Sequence, residues 1–146
     1  VRIVLHRVRS ARLRGRRPPV RPVTDGLVVM VGFGRDDDPA TCRRMAGRVV
    51  RARVFPSPGS MLGVSARELA AAVMVVSQMP LVADTARGAK PNLAAGAAAD
   101  VASSLYATFA HELDRAGAAA VEVVPFGSSA ELDIRHWGPF TLVLDG

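Results

Sequence analysis

The chain has 146 residues, 49% hydrophobic and 22% charged, the size and balance of one globular domain. Nineteen basic residues against 13 acidic leave a net charge of +6, and the single cysteine, Cys42, excludes an internal disulfide and a cysteine-based metal cluster. No apolar run approaches the ~20 residues of a membrane helix, and arginine interrupts the start where a signal peptide would be apolar, so the expected location is the cytoplasm.

Residues 2–8 alternate and predict a strand, with Ile3 and Leu5 on one face, Arg7 in line with them, and Val4, His6 and Val8 on the other. Residues 14–22 are basic and hold Pro18, Pro19 and Pro22, so they read as a hairpin tip or loop. Residues 26–33 (GLVVMVGF) form a buried strand rich in β-branched side chains. Residues 35–38 turn the chain, Asp37 or Asp38 caps a helix, and Pro39 lies in its first turn. That helix runs to about Arg53, with Cys42, Met45, Ala46, Val49 and Val50 at helical spacing and Arg43, Arg44, Arg48 and Arg51 opposite. Residues 56–63 read as a loop, 71–78 as a second buried strand, and 81–96 as irregular chain broken by Gly88, Pro91 and Gly96. Residues 98–116 form a second amphipathic helix, with Val101, Leu105, Phe109 and Leu113 four apart and Gly117 closing it. Residues 119–126 and 139–144 are the last strands. The order β, β, α, β, α, β, β predicts an α+β fold in one domain spanning 1–146.

All basic residues but Lys90 are arginines, and Arg2, Arg7, Arg9, Arg12, Arg14, Arg16, Arg17 and Arg21 crowd the start. Such density favours a polyanionic partner, nucleic acid first. A Ser–His–Asp triad could be assembled from Ser77, one of His6, His111 and His136, and Asp84, but Ser77 lacks the G-x-S-x-G turn that exposes such a nucleophile. Three histidines without H-x-x-x-H spacing give no metal site. Gly32-Phe33-Gly34 follows a strand but lacks a third glycine and a Lys-Ser/Thr, so it is no phosphate loop. Asp36–Asp38 reads as a turn and helix cap rather than a cation site. Two segments display groups: Ser77-Gln78-Met79-Pro80-Leu81 at a strand end, and Trp137-Gly138-Pro139-Phe140-Thr141, whose Gly-Pro bond is open to the cis form.

Those segments carry a resemblance to the D-aminoacyl-tRNA deacylase family (the D-tyrosyl-tRNA deacylase type) over essentially the whole chain. His6-Arg7-Val8 is similar to the family's Q-R-V. Gly26-Leu27-Val28-Val29 and Asp36-Asp37-Asp38 follow in order. Val75-Val76-Ser77-Gln78-Met79-Pro80-Leu81 resembles V-V-S-Q-F-T-L, and Ala83-Asp84-Thr85-Ala86-Arg87-Gly88 resembles A-D-T-x-R-G. Lys90-Pro91-Asn92 stands at R-P-S, and Gly138-Pro139-Phe140-Thr141-Leu142 at G-P-V-T-F.

The resemblance implies a deacylase-like α+β fold, mainly antiparallel sheets with two principal helices, in a homodimer without metal or other cofactor. It implies hydrolysis of the ester joining a D-amino acid, or glycine, to the 3′ end of tRNA. Ser77, Gln78, Met79 and Pro80 would form the catalytic segment, with Lys90, Pro91 and Asn92 beside the substrate. Gly138 and Pro139 would reach in from the other subunit, their carbonyls capturing the substrate amino group and leaving no room for an L side chain, with Arg7 holding that dipeptide. Backbone N–H groups would stabilise the oxyanion while the terminal adenosine's 2′-hydroxyl helps activate water.

Several positions depart from the family pattern. Pro80 replaces threonine and removes a hydroxyl and an N–H. Met79 replaces phenylalanine, Asn92 serine and His6 glutamine, and His136-Trp137 replaces Asn-x before Gly-Pro. Two alternatives therefore stay open: a relative acting on another acyl ester or amide, with His136 as general base, and a non-catalytic tRNA-binding protein.

Overall fold

In the computed structural model, which describes residues 1–15, 20–86 and 88–146, strands β1 (Arg2–Arg14), β2 (Val23–Gly32), β5 (Ala72–Ser77), β6 (Ala120–Val123) and β7 (Glu131–Asp145) form one sheet. Its order is β6-β5-β2-β1-β7. β1 pairs antiparallel with β2 and β7, while β2–β5 and β5–β6 are parallel. The parallel pairs are those joined through helices, α1 (Pro39–Arg51) before β5 and α3 (Ala99–Arg115) before β6. Strands β3 (Arg53–Ser57) and β4 (Ser60–Ser65) make a separate antiparallel pair, so antiparallel pairing predominates. Arg16, Arg17, Pro18 and Pro19 of the basic loop, and Arg87 of the A-D-T-A-R-G segment, lie outside the described residues.

Alternation explains the layering. Ile3, Leu5, Leu27, Val29, Val31, Val73 and Val75 point to one face and pack with Met45, Val49, Leu105, Phe109 and Leu113 of the helices. Burying each such side chain contributes roughly 1.5–3 kcal/mol. The predicted stripe of α1 is buried, and Asp38, not Asp37, caps it by accepting from the Thr41 N–H at 2.7 Å. In α3 the four-residue spacing fails at one end: Val101 is 44% exposed, and Ala102 and Tyr106 fill the face instead. Steps of four overshoot a 3.6-residue turn, so such a row drifts around the helix.

Several boundaries differ from the sequence reading. The expected loop at 56–63 is the β3–β4 hairpin, where Pro56 sits in a two-stranded sheet that does not need its N–H. A short helix, α2 (Ala66–Leu69), follows it, opened by a capping box between Ser65 and Glu68 that the sequence S-A-R-E already carried. The final strand starts at Glu131 rather than 139, and β1 continues to Arg14, because Ala11–Arg14 pair with Glu131–Ile134. The segment expected to be irregular from 81 begins with a 3-10 turn, Met79–Val82.

The arginine-rich start is partly answered within the chain. Arg12 and Arg14 contact Asp133 at 3.2 and 2.6 Å, and Arg9 contacts Asp25 at 2.9 Å. Among the described residues, no helix is long and apolar enough to cross a membrane.

Candidate functional site

β5 ends at Ser77, and the chain breaks immediately into the 3-10 turn headed by Gln78. Two contacts fix this turn against β2. The Gln78 N–H donates to the Val31 carbonyl at 2.8 Å, and the Gln78 carbonyl lies so close to Gly32 that a Cβ there would meet it at 2.7 Å. Only glycine fits under the turn. Pro80 suits the start of a helical turn, where an N–H has no partner inside the turn. The Leu81 N–H donates back to Gln78 at 3.1 Å, so the Met79 N–H is the one backbone donor from 78 to 81 left uncommitted among the described residues.

A cleft of about 480 Å³ opens over this turn. Ser77, Gln78, Met79 and Pro80 form one side, and Leu93, Ala97, Ala102 and Phe126 supply an apolar wall opposite. The lining is more apolar than polar, with Ser77, Gln78, Ser128 and Ser129 as its polar side chains. Ser77 Oγ accepts from the Gly127 N–H at 3.2 Å, which ties the strand end to the next turn. The loop before α3 is held by backbone bonds: Asp84 and Asn92 exchange two at 2.8 and 2.9 Å, and the Ala97 N–H donates to Phe33 at 3.0 Å. The Asp84–Asn92 bridge joins the A-D-T segment to Lys90-Pro91-Asn92. Lys90, Pro91 and Asn92 line a neighbouring depression that shares Leu93 with the cleft.

Gly138 and Pro139 do not line this cleft. They form an exposed bend inside β7, joined by a cis peptide bond, where the β1–β7 register shifts between Arg7, Val8 and Ser10. Gly138 has φ +129°, and a Cβ there would lie 3.0 Å from an Arg7 guanidinium nitrogen. Arg7 is 3% exposed. Its Nε donates to the Trp137 carbonyl at 2.9 Å and its Nη1 to the Val54 carbonyl, while the guanidinium sits 5.1 Å from the Phe140 ring. The arginine expected to hold the dipeptide thus bonds the residue just before it. The β3 acceptor Val54 and its neighbour Phe55, 6.0 Å from Trp137, were not anticipated, because their segment was read partly as loop.

Among the described residues of the chain, no acid–base side chain lines the cleft. His6 and His136 pack ring against ring at 5.0 Å on the opposite sheet face, with His6 Nδ1 3.0 Å from Thr141 Oγ1. His111 is exposed on α3, and the Asp84 carboxylate accepts from its own turn at Ala86. The components of a Ser–His–Asp triad are therefore not assembled within one chain, and His136 does not line the cleft beside Ser77 of its own chain. Burial pushes the Cys42 thiol up to about 11, which keeps it protonated and inert as a nucleophile near neutrality.

The sequence model of a family described as D-Tyr-tRNA(Tyr) deacylase matches residues 4–145. A D-aminoacyl-tRNA deacylase of Nitratidesulfovibrio vulgaris is 35% identical over 150 residues, covering 99% of this chain and 93% of its own. One from Listeria monocytogenes serotype 4b is 33% identical over 145 residues, covering 99% and 96%. Among solved structures, the c-Myc DNA unwinding element binding protein superimposes with a TM-score of 0.92 at 22% identity, covering 100% of this chain and 99% of its own. A "probable eukaryotic D-amino acid tRNA deacylase" does so at 0.84 and 20% identity, covering 98% and 97%. At those identities the two structures bear on the fold.

Proposed function

Because this chain belongs to the D-Tyr-tRNA deacylase family, we propose that it hydrolyses the ester between a D-amino acid, or glycine, and the 3′ end of tRNA. The observation that carries the reading is a mainly apolar cleft at Ser77–Pro80, in a chain that also presents a Gly138-Pro139 bend anchored through Arg7. An aminoacyl ester is an activated acyl group, so positioning and oxyanion stabilisation supply much of the needed acceleration.

Water attacks the ester carbonyl, helped by the substrate's own vicinal ribose hydroxyl. The carbonyl oxygen takes up negative charge facing the Met79 N–H. The C–O bond to the ribose then breaks, the proton from water passes to the leaving ribose oxygen, and free amino acid and tRNA separate. Ser77 and Gln78 shape the turn, and Met79 and Leu93 border the acyl group. Lys90, Pro91 and Asn92 flank the RNA end. The exposed arginines answer phosphate charge.

The same cleft lacks Gly138 and Pro139 of its own chain, which supports a homodimer in which the second copy supplies them. Their two carbonyls accept from the substrate ammonium and leave the L side chain without space. His136 and Trp137 border that gate.

Pro80 makes the reading testable. Wild-type protein hydrolyses D-Tyr-tRNA, and Pro80→Thr, which restores an N–H beside Met79, raises kcat toward the ~10²–10³-fold that one oxyanion donor typically contributes. Single-turnover release of D-tyrosine measures both. Failure of the wild-type protein to release it at enzyme concentrations matching the substrate would overturn the reading.

A further inference from the structure

Arg7 holds the carbonyl of Trp137 and its guanidinium lies 5.3 Å from the indole centre, but a second arginine approaches the ring more closely. The Arg9 guanidinium carbon lies 3.4 Å from the centre of the Trp137 ring, a close stacked cation–π contact. The same guanidinium donates from Nη1 to Asp25 Oδ1 at 2.9 Å, both side chains being about half exposed. Asp25 belongs to β2 and has φ +43°, a left-handed backbone that aspartate tolerates better than most residues. Phe55 packs on the same indole at 6.0 Å with a 60° tilt. Trp137 is thus gripped by its carbonyl from β1 and by its ring from β1, through an anchor on β2, and from β3. The next two residues are Gly138 and Pro139.

We propose that Arg9 is a positioning residue for the Gly138-Pro139 bend, acting through the indole of Trp137, and so sets how strictly the bend selects its substrate. This inference rests on the deacylase reading for its consequence in selection, but the grip itself does not. Arg9 is itself exposed, and an arginine engaged only with solvent or an RNA phosphate would, when lost, weaken binding in a salt-dependent way. Arg9 instead spends its planar face on an indole and its edge on a carboxylate. A lysine keeps the charge but not the plane.

Trp137 is the only tryptophan in the chain, so its fluorescence reports this contact directly. The test compares wild type, Arg9→Lys, Arg9→Met and, as a charge-matched control, Arg115→Met. Emission, acrylamide quenching and single-turnover release from D-Tyr-tRNA, Gly-tRNA and L-Tyr-tRNA are read at low and high salt. Arg9→Met changes the emission and quenching of Trp137 and lowers the D-to-L rate ratio by about 3- to 10-fold, through kcat rather than KM. Arg9→Lys gives a smaller change in the same direction, and Arg115→Met gives none in emission or ratio. Unchanged emission in Arg9→Met overturns the proposal. So does a loss confined to KM that vanishes at high salt, which would make Arg9 a phosphate contact. An inactive wild type whose emission still responds to Arg9→Met overturns the deacylase reading and retains the grip.

Discussion

His6 is held below the usual histidine value of 6.5, first by burial and then by the adjacent His136. A folded value below the unfolded one means the unfolded chain binds the extra proton more readily. The associated stability is therefore fully present above pH 6.5 and is lost as pH falls through the lowered folded value. His6→Gln keeps a polar partner for Thr141 and cannot titrate. Melting temperatures from about pH 7.5 to about pH 5 should show the variant gaining on wild type as pH falls. Parallel profiles would contradict the assignment. At this scale the sequence exposed chemical type better than contact. Gly138 and Pro139 drew notice because a Gly-Pro bond is open to the cis form, and Arg7 through the family resemblance. The partners Val54 and Phe55 were not, since nothing local marks a carbonyl or ring that becomes useful only when a distant hairpin packs beside it.

The central sheet has one face covered by α1 and α3 and another that stays partly open. Across that open face Val76, Met30, Val4 and Val143 are cross-strand neighbours in one row, running from β5 to β7. Val143, at the edge, is 55% exposed. A second copy covering this row would remove apolar surface from water, and a stable interface needs roughly 800 Å² from each partner. Val143→Arg, which places a charge in the row, should convert a species of twice the chain mass into a single chain in sedimentation, with α1 and α3 intact by circular dichroism. A wild type that sediments as one chain would contradict this use of the face. The long buried strands and both principal helices were legible from periodicity, because each faces one continuous core. The β3–β4 hairpin and the extension of β7 were not. Their residues alternate weakly, and their pairing is fixed by partners far along the chain.

At the level of the molecule, charge and cleft tell different parts of the account. The excess of arginine suggested a nucleic-acid partner, and Arg9, Arg12 and Arg14 turn out to spend some of that charge on Asp25 and Asp133. What remains suits phosphate contact without specifying sequence. The proposed chemistry falls in a cleft that no acid–base side chain of the same chain lines among the described residues, so the account stands on selection and positioning rather than on a catalytic dyad. Family membership was legible because its motifs fall on the turn at Ser77–Pro80, the Asp84–Asn92 bridge and the Gly138 bend, places where backbone geometry restricts residue choice. The most direct test of the central claim is the rate of release of tyrosine from D-Tyr-tRNA and from L-Tyr-tRNA by the purified wild-type protein under identical conditions. The account predicts release from the D ester with the L ester left intact; equal release from both, or from neither, would contradict it.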